Sequence, residues 1–100
     1  MKYGLPADAI DKILSVFSRH PEIDKAILYG SRALGTQREG SDIDITLVPK
    51  QGADIELGRL ASELDDCNLP YLFDLSSYAV LTNAKLIAHI DQSGITFYQS

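Results

Sequence analysis

Two runs of sequence decide the fold: Lys25-Ala26-Ile27-Leu28-Tyr29-Gly30-Ser31-Arg32-Ala33-Leu34-Gly35 and, after a polar link, Ser41-Asp42-Ile43-Asp44-Ile45-Thr46-Leu47-Val48. The first is a short apolar strand that stops at Gly30, reading as a buried strand that enters a tight turn and then about one helical turn. Free N–H groups at such a turn favour an anion, and glycine lets a phosphate come close. Ser31 adds a hydroxyl donor, and Arg32 adds a positive charge whose direction the sequence leaves open. Gly and Ser are also default turn residues, so a plain turn is the competing reading.

The second run alternates. On a strand, Asp42 and Asp44 project from one face, and Ile43 and Ile45 go to the opposite, buried one. Aspartate is depleted in strands and like charges repel, so the pair weakens the strand unless a cation sits between them. Magnesium, which takes carboxylate and phosphate oxygens, is the natural candidate. The alternative is a solvated edge strand whose aspartates discourage aggregation. A third acid, Asp74, ends the run Tyr71-Leu72-Phe73-Asp74. If that strand lies beside Asp42 and Asp44 in register, three carboxylates share a face and can serve two ions about 3.5–4 Å apart. Otherwise Asp74 is a polar strand end.

Outward from this centre, Ile10, Ile13, Leu14 and Phe17 recur at helical spacing within residues 7–19, and Pro21 ends that helix. Residues 35–41 form a loop, and Pro49 closes the Asp42–Asp44 strand. Asp54 is read as the N-cap of a helix carrying Leu57, Leu60, Ala61 and Leu64 to about Cys67. Residues 70–74 are read as a strand. Thr82 is read as the cap of a helix through Gln92 with Leu86, Ile87 and Ile90 inward, Gly94 as its left-handed stop, and residues 95–98 as a last strand. The expected class is α/β (α+β): a mixed sheet of about four strands with helices mainly on one face, and residues 1–100 forming one domain. Tyr29, Tyr71, Phe73, Phe97 and Tyr98 fall in strands and read as core. His20 reads as an exposed helix C-cap, and His89 as a helix-surface or partly packed residue.

Composition narrows the function. The formal charge is −5, which argues against a broad basic surface gripping nucleic acid and leaves a nucleic-acid acceptor open. The single cysteine, Cys67, forbids an internal disulfide or a cysteine-built zinc site and fits the cytoplasm. No segment has the length and apolarity of a membrane span. Neither the lysine-bearing phosphate loop nor the dinucleotide-binding glycine fingerprint occurs.

Gly30-Ser31, a polar loop, Asp42-x-Asp44 in an apolar strand and a lone aspartate in a later strand together resemble the polymerase-beta-type nucleotidyltransferase superfamily. The Gly-Ser-Arg-Ala-x-Gly loop, the Ser-Asp-Ile-Asp-Ile strand and the short length are closest to its minimal branch, the antitoxin half of HEPN/MNT toxin–antitoxin pairs. The resemblance covers nearly the whole chain. It implies a nucleotidyltransferase fold in which Gly30, Ser31 and Arg32 hold the triphosphate of ATP. It further implies that Asp42 and Asp44 bind magnesium, two ions in all, and that Asp74 binds the catalytic ion and helps activate the acceptor. Leu34 stands where many relatives carry a second basic residue, leaving Arg32 as the loop's main cation. The implied reaction moves AMP to a hydroxyl, foremost a tyrosine of a HEPN-type toxin, and releases pyrophosphate. Two rivals remain: neutralisation of the partner by binding alone, and transfer to a small molecule.

Overall fold

The computed structural model describes residues 1–100. Its elements run α1 (Ala7–Ser18), β1 (Ile23–Tyr29), α2 (Ser31–Leu34), β2 (Ile43–Pro49), α3 (Leu57–Asp65), β3 (Phe73–Ser77), a 3-10 turn (Tyr78–Val80), α4 (Ala84–Ser93) and β4 (Ile95–Gln99). The four strands form one mixed sheet in the order β3-β2-β1-β4. β1 pairs antiparallel with both β2 and β4, and β2 pairs parallel with β3. A parallel pair needs a crossover, which α3 supplies. No helix is long and apolar enough to cross a membrane.

Alternation in β2 splits the sheet into two unlike faces. Ile43, Ile45 and Leu47 are fully buried and join Leu28 and Ala26 of β1, Ile13, Val16 and Phe17 of α1, and Leu60 and Leu64 of α3 in one core. α1 and α3 therefore cover the apolar face, as the heptad-like spacing of their apolar residues demands. The other face carries Asp44 and Thr46. α4 reaches it from one side, with the ring of its His89 set edge-on to Tyr29 at 6.3 Å.

Several local expectations shift. Ala9 and Val16 are buried on α1, whereas Ile10 and Leu14 are only half-buried. Ala61 of α3 is exposed, and its helix is preceded by Glu56 with no side-chain cap, not by Asp54. Asn83 replaces Thr82 as the cap of α4, its Oδ1 accepting from the N–H groups of Lys85 and Leu86. Asn ranks above Thr at this position, and the two are adjacent. Gly94 has an extended backbone, φ −68° and ψ 146°. What fixes it is proximity, because a Cβ there would strike the Ile90 carbonyl and Ile27.

His20 is the largest reversal, since it is 5% exposed. Its Nε2 donates to both carboxylate oxygens of Glu63 in α3, at 3.1 and 3.0 Å, and Nδ1 lies 3.5 Å from Glu22. Arg19 and Arg59 also reach Glu63. The cluster latches the end of α1 to α3 across the core. The His20 hydrogen bond is the main reason the Glu63 carboxyl sits below its ordinary range, helped by Arg19. A depressed acid stabilises the fold above its unfolded value and loses that contribution as pH falls through the folded one. His20→Ala is expected to lower stability by about 1–2 kcal/mol, and Glu63→Gln to flatten the acid limb of stability against pH. Urea denaturation between pH 3 and 7 measures both.

Candidate active site

The site begins with register. In the cross-strand row at the end of the sheet, Tyr29 of β1 stands opposite Asp44 of β2, and Asp44 stands opposite Asp74 of β3. Residues paired in this way share a face, on strands about 4.8 Å apart. Asp74 is the second residue of its strand, not the last, because β3 starts at Phe73 and runs on to Ser77. The expected strand over residues 70–74 was placed too early: polar Ser76 and Ser77 pair with Thr46 and Leu47 of β2 and extend the ladder. Asp42 is exposed, just ahead of β2.

The elbow between β1 and α2 lies directly against this row. Gly30 has φ 79° and ψ −155°, a region essentially reserved for glycine. A Cβ on Gly30 would also collide with the Asp44 carboxylate. Two independent constraints thus demand glycine, one from the backbone and one from the acid beside it. α2 is a single turn, in which the Gly30 carbonyl accepts from the N–H groups of Ala33 and Leu34 at 3.1 Å. The N–H groups of Ser31 and Arg32, in the first turn, have no intrahelical acceptor.

Charge in the row is under stress. Burial raises the Asp44 carboxyl above its usual range, Asp74 and Asp42 push it further, and Arg32 opposes them. Tyr29, 7% exposed, is raised by burial and by Asp74 and Asp44, with the Ser76 hydroxyl opposing. Its phenol is therefore neutral at physiological pH. One row deeper, the Ser76 hydroxyl donates to Thr46 Oγ1 at 2.9 Å and so satisfies a polar group buried to 0% exposure. Tyr29 is buried, as its sequence context suggests, yet it lies on the acidic face outside the main core cluster, together with Thr46 and Ser76, which the sequence does not single out. The period-two alternation of β1 and β2 was the signal that could have placed Tyr29 and Thr46 on the acidic face.

The polymerase beta nucleotidyltransferase model matches residues 11–100 of the chain. The chain belongs to that family. Comparison with curated proteins gave no match. Among solved structures, this nucleotidyltransferase is similar to a chain in a toxin–antitoxin complex with AMP-PNP, at 26% identity and TM-score 0.69, covering 96% of this chain and 75% of that one. A second similarity is to a chain in the Y104A mutant of an MntA toxin–antitoxin complex, at 26% identity and TM-score 0.67, covering 96% and 74%. A third, at 20% identity and TM-score 0.64 over 92% and 71%, involves a tri-AMPylated Shewanella oneidensis HEPN toxin in complex with MNT antitoxin, and supports the fold alone.

The donor chemistry of the nucleotidyltransferase site suits magnesium. All candidate ligands are carboxylate oxygens, and a divalent cation would offset the repulsion from Asp74 and Asp42 that adds to burial in raising Asp44. The acids are set in place by the strands without being closed into a cage: no three His, Cys, Asp or Glu side chains are gathered as a ready-made ion site.

Arg32, expected as the loop's main cation, is turned inward to main-chain carbonyls. The side chain is 4% exposed. Its Nε and Nη2 donate to the Ser41 carbonyl at 3.2 and 2.8 Å, and Nη1 donates to the Tyr3 carbonyl at 3.0 Å. Its guanidinium also lies over the Tyr71 ring, 5.2 Å from the centroid. A buried charge must be paired or hydrogen-bonded, and main-chain carbonyls win it from solvent.

Asp44 bears on stability with a definite sign. Because its folded value is raised, ionising it costs stability, and that cost grows as pH climbs from the unfolded to the folded value. At neutral pH Asp44→Asn is therefore expected to raise the melting temperature by roughly 2–5 °C. Gly30→Ala is expected to lower stability by about 2–4 kcal/mol, since it meets both backbone strain and the acid. Calorimetry of the two variants checks the opposite signs.

Proposed function

We propose that this nucleotidyltransferase moves AMP from ATP to a hydroxyl, foremost a tyrosine, of a HEPN-type toxin, and silences the toxin by doing so. The observation that carries the reading is the Asp44–Asp74 register beside the Gly30 elbow. It is supported by the likeness, at 26% identity, to a chain in a toxin–antitoxin complex with AMP-PNP.

In this reading Gly30 and Ser31 receive the triphosphate at the elbow, where the absence of a side chain allows close approach. Asp42, Asp44 and Asp74 would hold two magnesium ions, which supply Lewis acidity toward the acceptor hydroxyl and charge neutralisation for the pyrophosphate leaving group. The strands contribute position, which for phosphoryl transfer is most of what a protein provides. The acceptor oxygen forms its bond to the α-phosphorus as the bond to pyrophosphate breaks in line, and its proton leaves toward Asp74. Tyr29, neutral and on the flank of the row, keeps that side of the acids from adding further charge.

Neutralisation by binding alone is the second reading, favoured by the open arrangement of the acids. The carboxylates separate the two. Asp42→Asn/Asp44→Asn is expected to abolish transfer, a loss of more than about a thousandfold, while the complex with the toxin survives on gel filtration. Full protection of cells by that double variant would sink the catalytic reading.

Intact-mass analysis of the co-purified partner, after incubation with ATP and magnesium, tests the proposal directly. The expected result is a gain of one or more AMP units; a partner mass unchanged with every common nucleoside triphosphate overturns it. Asp44 must be ionised to hold a cation, and its value is raised. Protons therefore compete with the cation, and the apparent affinity for magnesium is expected to weaken on acidification at a higher pH than an ordinary aspartate would dictate, read from initial rates at subsaturating magnesium.

A further inference from the structure

The contacts of Arg32 draw together three segments that are distant in sequence. Its partner Ser41 is bonded through its carbonyl to Asp42, so the guanidinium grips the peptide unit that carries the first acid. Tyr71, under the guanidinium, lies on the segment that leads into β3, three residues before Asp74. Between the two segments the Ile43 N–H donates to the Leu72 carbonyl at 2.8 Å, the rung that opens the parallel ladder.

The third attachment is a turn at the start of the chain. Lys2 and Leu5 exchange main-chain hydrogen bonds at 3.1 and 2.8 Å, with Tyr3 and Gly4 between them at φ 59° and 71°. Tyr3 holds a left-handed conformation that costs a non-glycine residue energy. In return its carbonyl reaches Arg32, and its ring packs on Phe97 at 5.8 Å. A Cβ on Gly4 would come within 2.9 Å of Arg32 Nη1 and 2.8 Å of Gln37 Nε2. The turn is moulded around the guanidinium.

We propose that Arg32 is a positioning residue: it pins the segments entering β2 and β3, and with them Asp42 and Asp74, in register beside the elbow, and it does not bind the triphosphate. All three guanidinium nitrogens donate to main-chain carbonyls, which uses the planar fork of arginine and not merely its charge. The inference rests on the carboxylate row being the reacting site.

Lysine separates fork from charge. Arg32→Lys keeps a cation at the loop but cannot bridge Ser41 and Tyr3 together. Three measurements are made on Arg32→Lys, Arg32→Ala and Tyr71→Leu: amide exchange at Ile43, Mn2+ affinity of the free protein, and kcat and KM for ATP in modification of the partner. Positioning predicts faster Ile43 exchange in every variant. It also predicts a loss of about ten- to hundredfold in Mn2+ affinity and kcat for Arg32→Lys and Arg32→Ala alike, with KM for ATP moving less than about threefold. Tyr71→Leu shifts the same quantities in the same direction by less.

The inference is overturned if Arg32→Lys keeps wild-type exchange, Mn2+ affinity and kcat while Arg32→Ala chiefly raises KM for ATP, the behaviour of a point charge on phosphate. Should Arg32→Ala fail to fold, Arg32→Lys and Tyr71→Leu still decide the matter. If the wild-type protein modifies no partner, the proposed transfer fails by itself. Ile43 exchange needs neither metal nor substrate and still judges Arg32: wild-type exchange in Arg32→Lys would then overturn its positioning role.

Discussion

A partly buried carboxylate on a central strand is costly, and Asp44 is such a group. It has a second acid level with it on β3, a third two residues ahead, and a bulky phenol on its other side. Nothing in the core asks for this arrangement. The opposite side of the same strand, with Ile43, Ile45 and Leu47 fully buried between α1 and α3, provides the stabilisation that lets it persist. Strand alternation makes the division possible, because successive residues serve opposite faces without competing for space.

Around Asp44 the structure has been shaped by subtraction and by dipoles. At Gly30 a side chain is missing where one would hit the acid, and the backbone takes a form that other residues resist. Arg32 offsets part of the negative charge from nearby, yet its donors are occupied by carbonyls of Ser41 and Tyr3. The polar pair Thr46 and Ser76 satisfies itself one row deeper. These features keep the acids apart from the hydrocarbon core while leaving their outer side open.

Much of this was readable from residue order. Alternation in residues 42–48 gives two faces whatever the neighbours are, and a glycine followed by serine after an apolar run announces the elbow. Helix stripes on α1 and α3 were equally local. What escaped were properties set by partners distant in sequence. The true end of β3 depends on Thr46 and Leu47 accepting a polar strand as neighbour, since Asp74-Leu75-Ser76-Ser77 has little strand propensity of its own. His20 looked like a solvent-facing cap because Glu63, which buries and engages it, lies in another helix. The direction of Arg32 was undetermined for the same reason: carbonyl acceptors carry no residue identity, so no sequence pattern advertises them. Thr82 and Gly94 failed differently, since adjacent residues compete for a cap and a glycine can be required by crowding instead of by φ.

The parallel pairing of β2 with β3 has a consequence in time. Parallel neighbours cannot be joined by a tight hairpin, so the segment bearing Asp74 reaches β2 only through the crossover that α3 supplies. Closing so long a loop must precede the contacts that reward it. During synthesis, a chain that has emerged only through Pro49 holds the elbow and the first two acids but lacks the third. The three acids can therefore share a face only once residues far along the chain have emerged, and β4, which brings Phe97 to the core, emerges later still.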